Sequence, residues 1–161
     1  MKKLLLSFTL FILSVSSIFA DWGLGVEAGI ETGGKFGSSF AVTARSDENP
    51  WCIAASAFPF DNKINVTLDN WFVNENLSGI VDWYSFWGMS VHSGFNDFSL
   101  ATGARIGIGL DWFILDNRQL EFYVQGSWNP YIGFNYKSSE WDFLFKPFCF
   151  PFTTGARWWI R

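Results

Sequence analysis

Charge, histidine, cysteine and proline are all scarce in this 161-residue chain, and past residue 20 so are long apolar runs. Charged residues make up 16% of it, against about 25% in ordinary soluble domains. Hydrophobic residues reach 49% and aromatics 20%, too apolar a balance for a typical water-soluble fold of this length. Yet no later stretch approaches the roughly 18 apolar residues of a membrane-crossing helix. A lone His92 and two cysteines, Cys52 and Cys149, stand in no metal-ligand or CxxC spacing, so no metal centre is read. No cofactor is read either. Residues 1–20 hold two lysines and no acid, which leaves the rest of the chain at a net charge of −6. That balance argues against nucleic acid as a partner, since phosphate binding needs a basic face.

What is present begins with an export signal. Lys2 and Lys3, the apolar run 4–13 and a small-residue stretch ending at Ala20 predict a cleaved secretory signal over 1–20. Residues 21–161 then form one domain. An exported chain this apolar, without a spanning helix, has one common solution: a closed β-barrel in an outer membrane, where every backbone polar group is paired.

Period-two alternation recurs eight times between turn-forming residues, near 22–31, 36–45, 51–60, 64–73, 81–92, 98–113, 120–134 and 152–161. The sixth is the clearest: Ala104, Ile106, Ile108, Leu110 and Trp112 alternate with Gly103, Arg105, Gly107, Gly109 and Asp111. The third is the least decisive in phase, because residues 54–57 suit either face. Turns are expected at 46–50, 74–79 and 115–118 at one end. Outward loops are expected near 32–35, 61–63, 93–97 and 135–151. Several strands have the roughly 10 residues of a tilted membrane strand, and eight is an even number. Trp22, Trp51, Phe72, Trp83, Trp112, Phe122 and Trp158 fall at one end of their strands, as an interfacial aromatic girdle would.

Five segments carry a resemblance. They are the Gly23-Leu24-Gly25-Val26 opening, Asp69 with Trp71-Phe72, GARIGIGLDWF at 103–113, LEFYVQ at 120–125 and GARWWI at 155–160. Through them the chain resembles a spirochaete family of small outer-membrane β-barrels of unknown function, similar in architecture to OmpX and the OmpA membrane domain. The resemblance implies an eight-stranded antiparallel up-and-down barrel with a polar, side-chain-filled lumen. Barrels of this kind usually end on an aromatic residue; here Arg161 follows Ile160.

The inward phase gathers Glu27, Arg45, Asp69, Arg105, Asp111, Glu121 and Arg157, with Lys35 at the outer rim. Charges inside a small barrel must be paired, because an unpaired buried ion costs several kcal/mol. They read as one network, serving either as a plug or as a narrow conduit. Gly23-Leu24-Gly25-Val26-Glu27-Ala28 matches the dinucleotide fingerprint, but that motif needs a strand before it and a helix after it, and strand alternation runs through this copy. Its glycines instead make room in a crowded interior or mark bends. Cys52 and Cys149 are expected at opposite rims, and so unbonded.

The 135–151 connection is the longest, and Trp141, Phe143, Phe145 and Phe148 make it a candidate interaction loop or a lid over the mouth. Two rival functions compete with a surface or envelope role. His92 with Ser90 or Ser93, oriented by Asp97, could serve a lipid-modifying hydrolase. A lipocalin-like secreted carrier would need an apolar cavity. The expected partners are outer-membrane lipid and an extracellular protein, and the chain is not read as an enzyme.

Overall fold

The alternation resolves into ten strands: β1 (Trp22–Thr32), β2 (Gly37–Ser46), β3 (Trp51–Phe58), β4 (Lys63–Ser78), β5 (Val81–Gly94), β6 (Ser99–Ile114), β7 (Leu120–Trp128), β8 (Tyr131–Lys137), β9 (Glu140–Lys146) and β10 (Phe150–Ile160). The structure, a computed structural model, describes residues 21–33, 36–95, 98–115, 117–137 and 140–160. The export signal expected over 1–20, Lys35 and Asp97 lie outside the described residues.

The ten strands make eight staves. β1 to β6 each form one, and β5 pairs with β6 to complete the ring. β7 and β8 both pair with β6 and together form the seventh. β9 pairs with β8, and β10 pairs with β7 and β1, so these two form the eighth and close an antiparallel barrel. Every neighbouring pair is antiparallel, and no helix occurs among the described residues.

The stagger of the barrel is written in its register. Starting from Trp112 on β6, partners run Phe122, Ala156, Val26, Val42, Ala55, Val66, Val91 and back to β6 at Thr102. One circuit therefore slides ten residues along β6. At ~3.3 Å per residue and ~4.8 Å between strands, that slide tilts the strands by about 40°.

Three expectations change. The polar segment 74–79 does not turn at Asn74: β4 continues to Ser78, with register shifts between Trp71 and Val73 and between Asn76 and Ser78. Asn76 makes this possible, since its Nδ2 donates to the Gly79 and Val81 carbonyls, and the turn falls on Gly79 at a φ of +58°. The third strand ends at Phe58, with Pro59 and Phe60 joining the turn, and its inward face is Cys52, Ala54, Ser56 and Phe58.

The third change is the largest. The expected loop 135–151 is a continuation of the barrel wall. β8 and β9 pair antiparallel as a hairpin, out to Lys137 opposite Glu140. Pro130 interrupts the seventh stave without shifting its register, because it lacks the N–H that the ladder needs. Opposite, the five steps from Gly126 to Tyr131 face six from Lys146 to Phe152, a one-residue bulge held by the Asn129 N–H donating to the Cys149 carbonyl. Cys149 and Cys52 are both buried and unbonded.

Candidate functional site

Alternation places one set of side chains inside the ring, and the largest of them sit over glycines on the next stave. A Cβ on Gly23 would meet the Trp159 ring at 2.8 Å, and one on Gly155 would meet the Tyr123 ring at 2.5 Å. Gly107 and Gly109 face the rings of Phe86 and Tyr84 in the same way. Glycine here is the cavity into which an aromatic folds. These inward aromatics, with Trp71, were not among the expected site residues.

The inward charges expected as one network divide into two ion-pair groups, and buried Asp82 pairs separately with Arg118. In the first, nearer the chain termini, Arg157 Nη1 donates to Glu121 Oε1 at 2.6 Å, while Trp159 Nε1 donates to the other carboxylate oxygen at 2.8 Å. Arg157 also donates to Thr43 Oγ1 (3.3 Å) and Cys52 Sγ (3.4 Å), and its guanidinium lies 3.9 Å over the Tyr123 ring. Arg45 is within 3.8 Å of Asp111 and 3.7 Å of Glu121, and stands 3.7 Å over Trp71. Trp71 stacks on Tyr84 at 3.5 Å between centroids, and Tyr84 donates to Gln125. In the second group Arg105 Nη1 pairs with Asp69 Oδ2 at 3.1 Å and Nη2 donates to Ser127 Oγ at 3.4 Å. Glu27 takes a hydrogen bond from Tyr123 Oη, at 2.8 Å. The split follows from the register, which puts Arg157 opposite Glu121 on β7 but Asp69 opposite Gly88 on β5, beside Arg105 on β6.

Towards the opposite end, the hairpin end, a cluster of uncharged polar groups follows before the mouth. Ser90 Oγ donates to Asn129 Oδ1 at 2.8 Å, His92 Nε2 lies 3.1 Å from Ser90 Oγ, and the His92 ring stacks on Tyr131 at 4.5 Å. The Ser90 and His92 pairing matches one expected couple. However, Ser90 is wholly buried and its hydroxyl proton points at Asn129, so the nucleophile geometry needed for acyl transfer is not assembled. The shared phase of residues 90 and 92 was a faint signal of this cluster; Asn129 arrives from two staves away.

Space inside the barrel is small. A chamber of about 20 Å³ lies among Glu27, Asn65, Thr67, Arg105, Asn129 and Thr153. It shares Glu31 and Phe58 with a well of about 340 Å³ at the hairpin-end mouth. The larger concavities, about 890 and 950 Å³, are shallow grooves on the outer wall, lined by residues such as Phe40, Val42, Val66, Ile108 and Val124.

The candidate interaction residues are on the wall, not in a loop. Trp141, Phe143 and Phe145 share the outward face of β9, and Phe148 lies at the bulge; all four are exposed. They extend an aromatic surface with Phe98, Phe134 and Tyr136: Trp141 is 5.0 Å from Tyr136 and 6.4 Å from Phe98, and Phe143 is 6.0 Å from Phe134. Leu144 packs inward, onto Ala101, Tyr131 and Cys149. The dinucleotide-like glycines lie within β1, and the next described element is the strand β2. Comparison with protein-family models and with curated proteins finds no match.

Proposed function

We propose that this is an integral outer-membrane barrel with a polar, plugged lumen, whose exposed aromatic hairpin makes contacts at the cell surface or within the envelope. One observation carries the reading: large apolar side chains are exposed on all eight staves, while Arg45, Arg105, Arg157, Asp69, Asp111 and Glu121 are enclosed. Val26, Val42, Ile53, Val66, Met89, Ile108, Val124 and Trp158, one from each stave in turn, are each between 38% and 66% exposed. A soluble monomer rarely leaves an apolar patch beyond a few hundred Å² uncovered, whereas hydrocarbon solvates such a belt without cost. The half-covered Trp22, Trp51, Trp83 and Trp112 near the terminal end suit an interfacial girdle.

The outer-membrane address rests on the signal-like residues 1–20 and on barrel closure, which suits that membrane. The proposed partners are outer-membrane lipid and, through Trp141, Phe143, Phe145 and Phe148, an extracellular protein. Neither rival draws comparable support. A lipocalin-like carrier lacks its apolar cavity, since the inner chamber is about 20 Å³ and the mouth well is lined by Glu31, Asp61, Lys63 and Lys146; a hydrolase would need its His92 within reach of lipid, whereas His92 faces inward and is 9% exposed.

Cell fractionation tests the proposal. The protein should resist salt and alkali, yield to detergent, and migrate differently in cold SDS than after boiling. Protease or biotin added to intact cells should reach Lys137 or Lys146. Recovery in a soluble periplasmic fraction would reject the reading.

A further inference from the structure

We propose that the well at the hairpin-end mouth binds a small neutral saccharide. The well's volume, about 340 Å³, falls at the lower end of small-molecule pockets. Its charged lining is balanced: Glu31 on β1 and Asp61 in the β3–β4 turn, against Lys63 on β4 and Lys146 on β9. The staves that bear the lysines, the fourth and the eighth, are half a circuit apart in the ring, with Glu31 and Asp61 on the arc between them. A ligand of one sign therefore meets as much repulsion as attraction. A neutral molecule that both donates and accepts hydrogen bonds can use all four groups. Phe58, Phe60 and Phe95 add apolar surface suited to the C–H face of a sugar ring.

The floor points the same way. Below the well, the 20 Å³ chamber has room for a single water or one hydroxyl. Asn65 and Arg105, both more than nine-tenths buried, line it, and Asn65 Oδ1 and Arg105 Nε have no hydrogen-bond partner. Thr153 Oγ1, also in the lining, is likewise unpartnered. Beside the Glu27 and Glu31 carboxylates, the floor thus offers one unpartnered acceptor, one unpartnered donor and one hydroxyl that can do either. A ligand hydroxyl, or a water held under it, satisfies donor and acceptor together; a carboxylate only accepts and an ammonium only donates.

The site lies inside the mouth, apart from the outward aromatic face, and can be tested on the folded barrel in detergent micelles whether or not the membrane reading holds. Isotope-labelled protein would be titrated with glucose, N-acetylglucosamine and maltose, and with glutamate and lysine as charged probes. At least one saccharide should move the amide signals of Lys63, His92 and Tyr131 saturably, and neither charged probe should. Asn65→Leu should weaken that binding about tenfold, the worth of one lost hydrogen bond. Lys146→Met, a rim change that leaves the buried interior intact, should weaken it as well, so the test survives if the Asn65 variant does not fold. No saturable response to any of the three saccharides would overturn the proposal. So would a response confined to glutamate or lysine, or saccharide binding indifferent to Lys146→Met.

Discussion

Arg157 and Glu121 are register partners across the β7–β10 ladder and also an ion pair, with Nη1 and Oε1 at 2.6 Å and both side chains almost wholly enclosed. Backbone pairing and charge pairing therefore coincide at one position of the wall. Removing one partner leaves the other charged in a place where water cannot reach it. Arg157→Met should destabilise the barrel by roughly 3–5 kcal/mol, and the double change with Glu121→Leu should cost clearly less than the two single losses combined. Denaturant titration followed by the cold-SDS mobility shift measures both. Additive losses would show that the pair does not couple.

A second cycle concerns shape. All three atoms nearest a Cβ on Gly23 belong to the Trp159 ring, at 2.8 to 3.0 Å. Gly23→Ala should therefore overpack the interior and cost about 1–3 kcal/mol. In a Trp159→Leu background most of that penalty should vanish, because the ring that collides is gone. An equal penalty in both backgrounds would place the strain in the backbone.

Much of this arrangement was legible from alternation alone, because each stave turns one face outward and a one-residue slip would invert every side chain. The glycine-rich inward face of residues 103–109 announced a crowded interior. It did not announce what crowds it. Tyr84, Phe86 and Trp71 carry no polar signature of an inward position, and only the register across β4, β5 and β6 matches the first two to Gly109 and Gly107. The end of the seventh stave and the first part of the eighth, expected as the loop 135–151, escaped for a different reason. Prolines at 130, 147 and 151 interrupt these two staves, and Leu144 spoils the alternation of Trp141, Phe143 and Phe145 with Asp142 and Lys146. In the barrel, a proline interruption and a one-residue bulge absorb those breaks without ending either stave. The ion groups were legible as a set, but their division depends on a ten-residue stagger that no single strand records.

Cys52 and Cys149 lie in separate clusters, Cys52 beside Trp71, Tyr84 and Phe86, and Cys149 beside Ala101 and Tyr131. Alkylation under denaturing, non-reducing conditions should find two free thiols. The native barrel should react slowly at both, since Cys52 is 5% and Cys149 2% exposed. A mapped Cys52–Cys149 bridge would contradict the strand order.

The most direct test of the account is what the outer wall touches. Spin labels placed singly at Val26, Val42, Val66 and Ile108, in a chain with both cysteines replaced by serine, sample four staves whose side chains point out of the ring. In reconstituted liposomes each label should collide freely with molecular oxygen, which concentrates in hydrocarbon, and poorly with a water-soluble nickel chelate. Preferential collision with the nickel chelate at all four positions would mean that the apolar wall faces water, and the membrane account would fall.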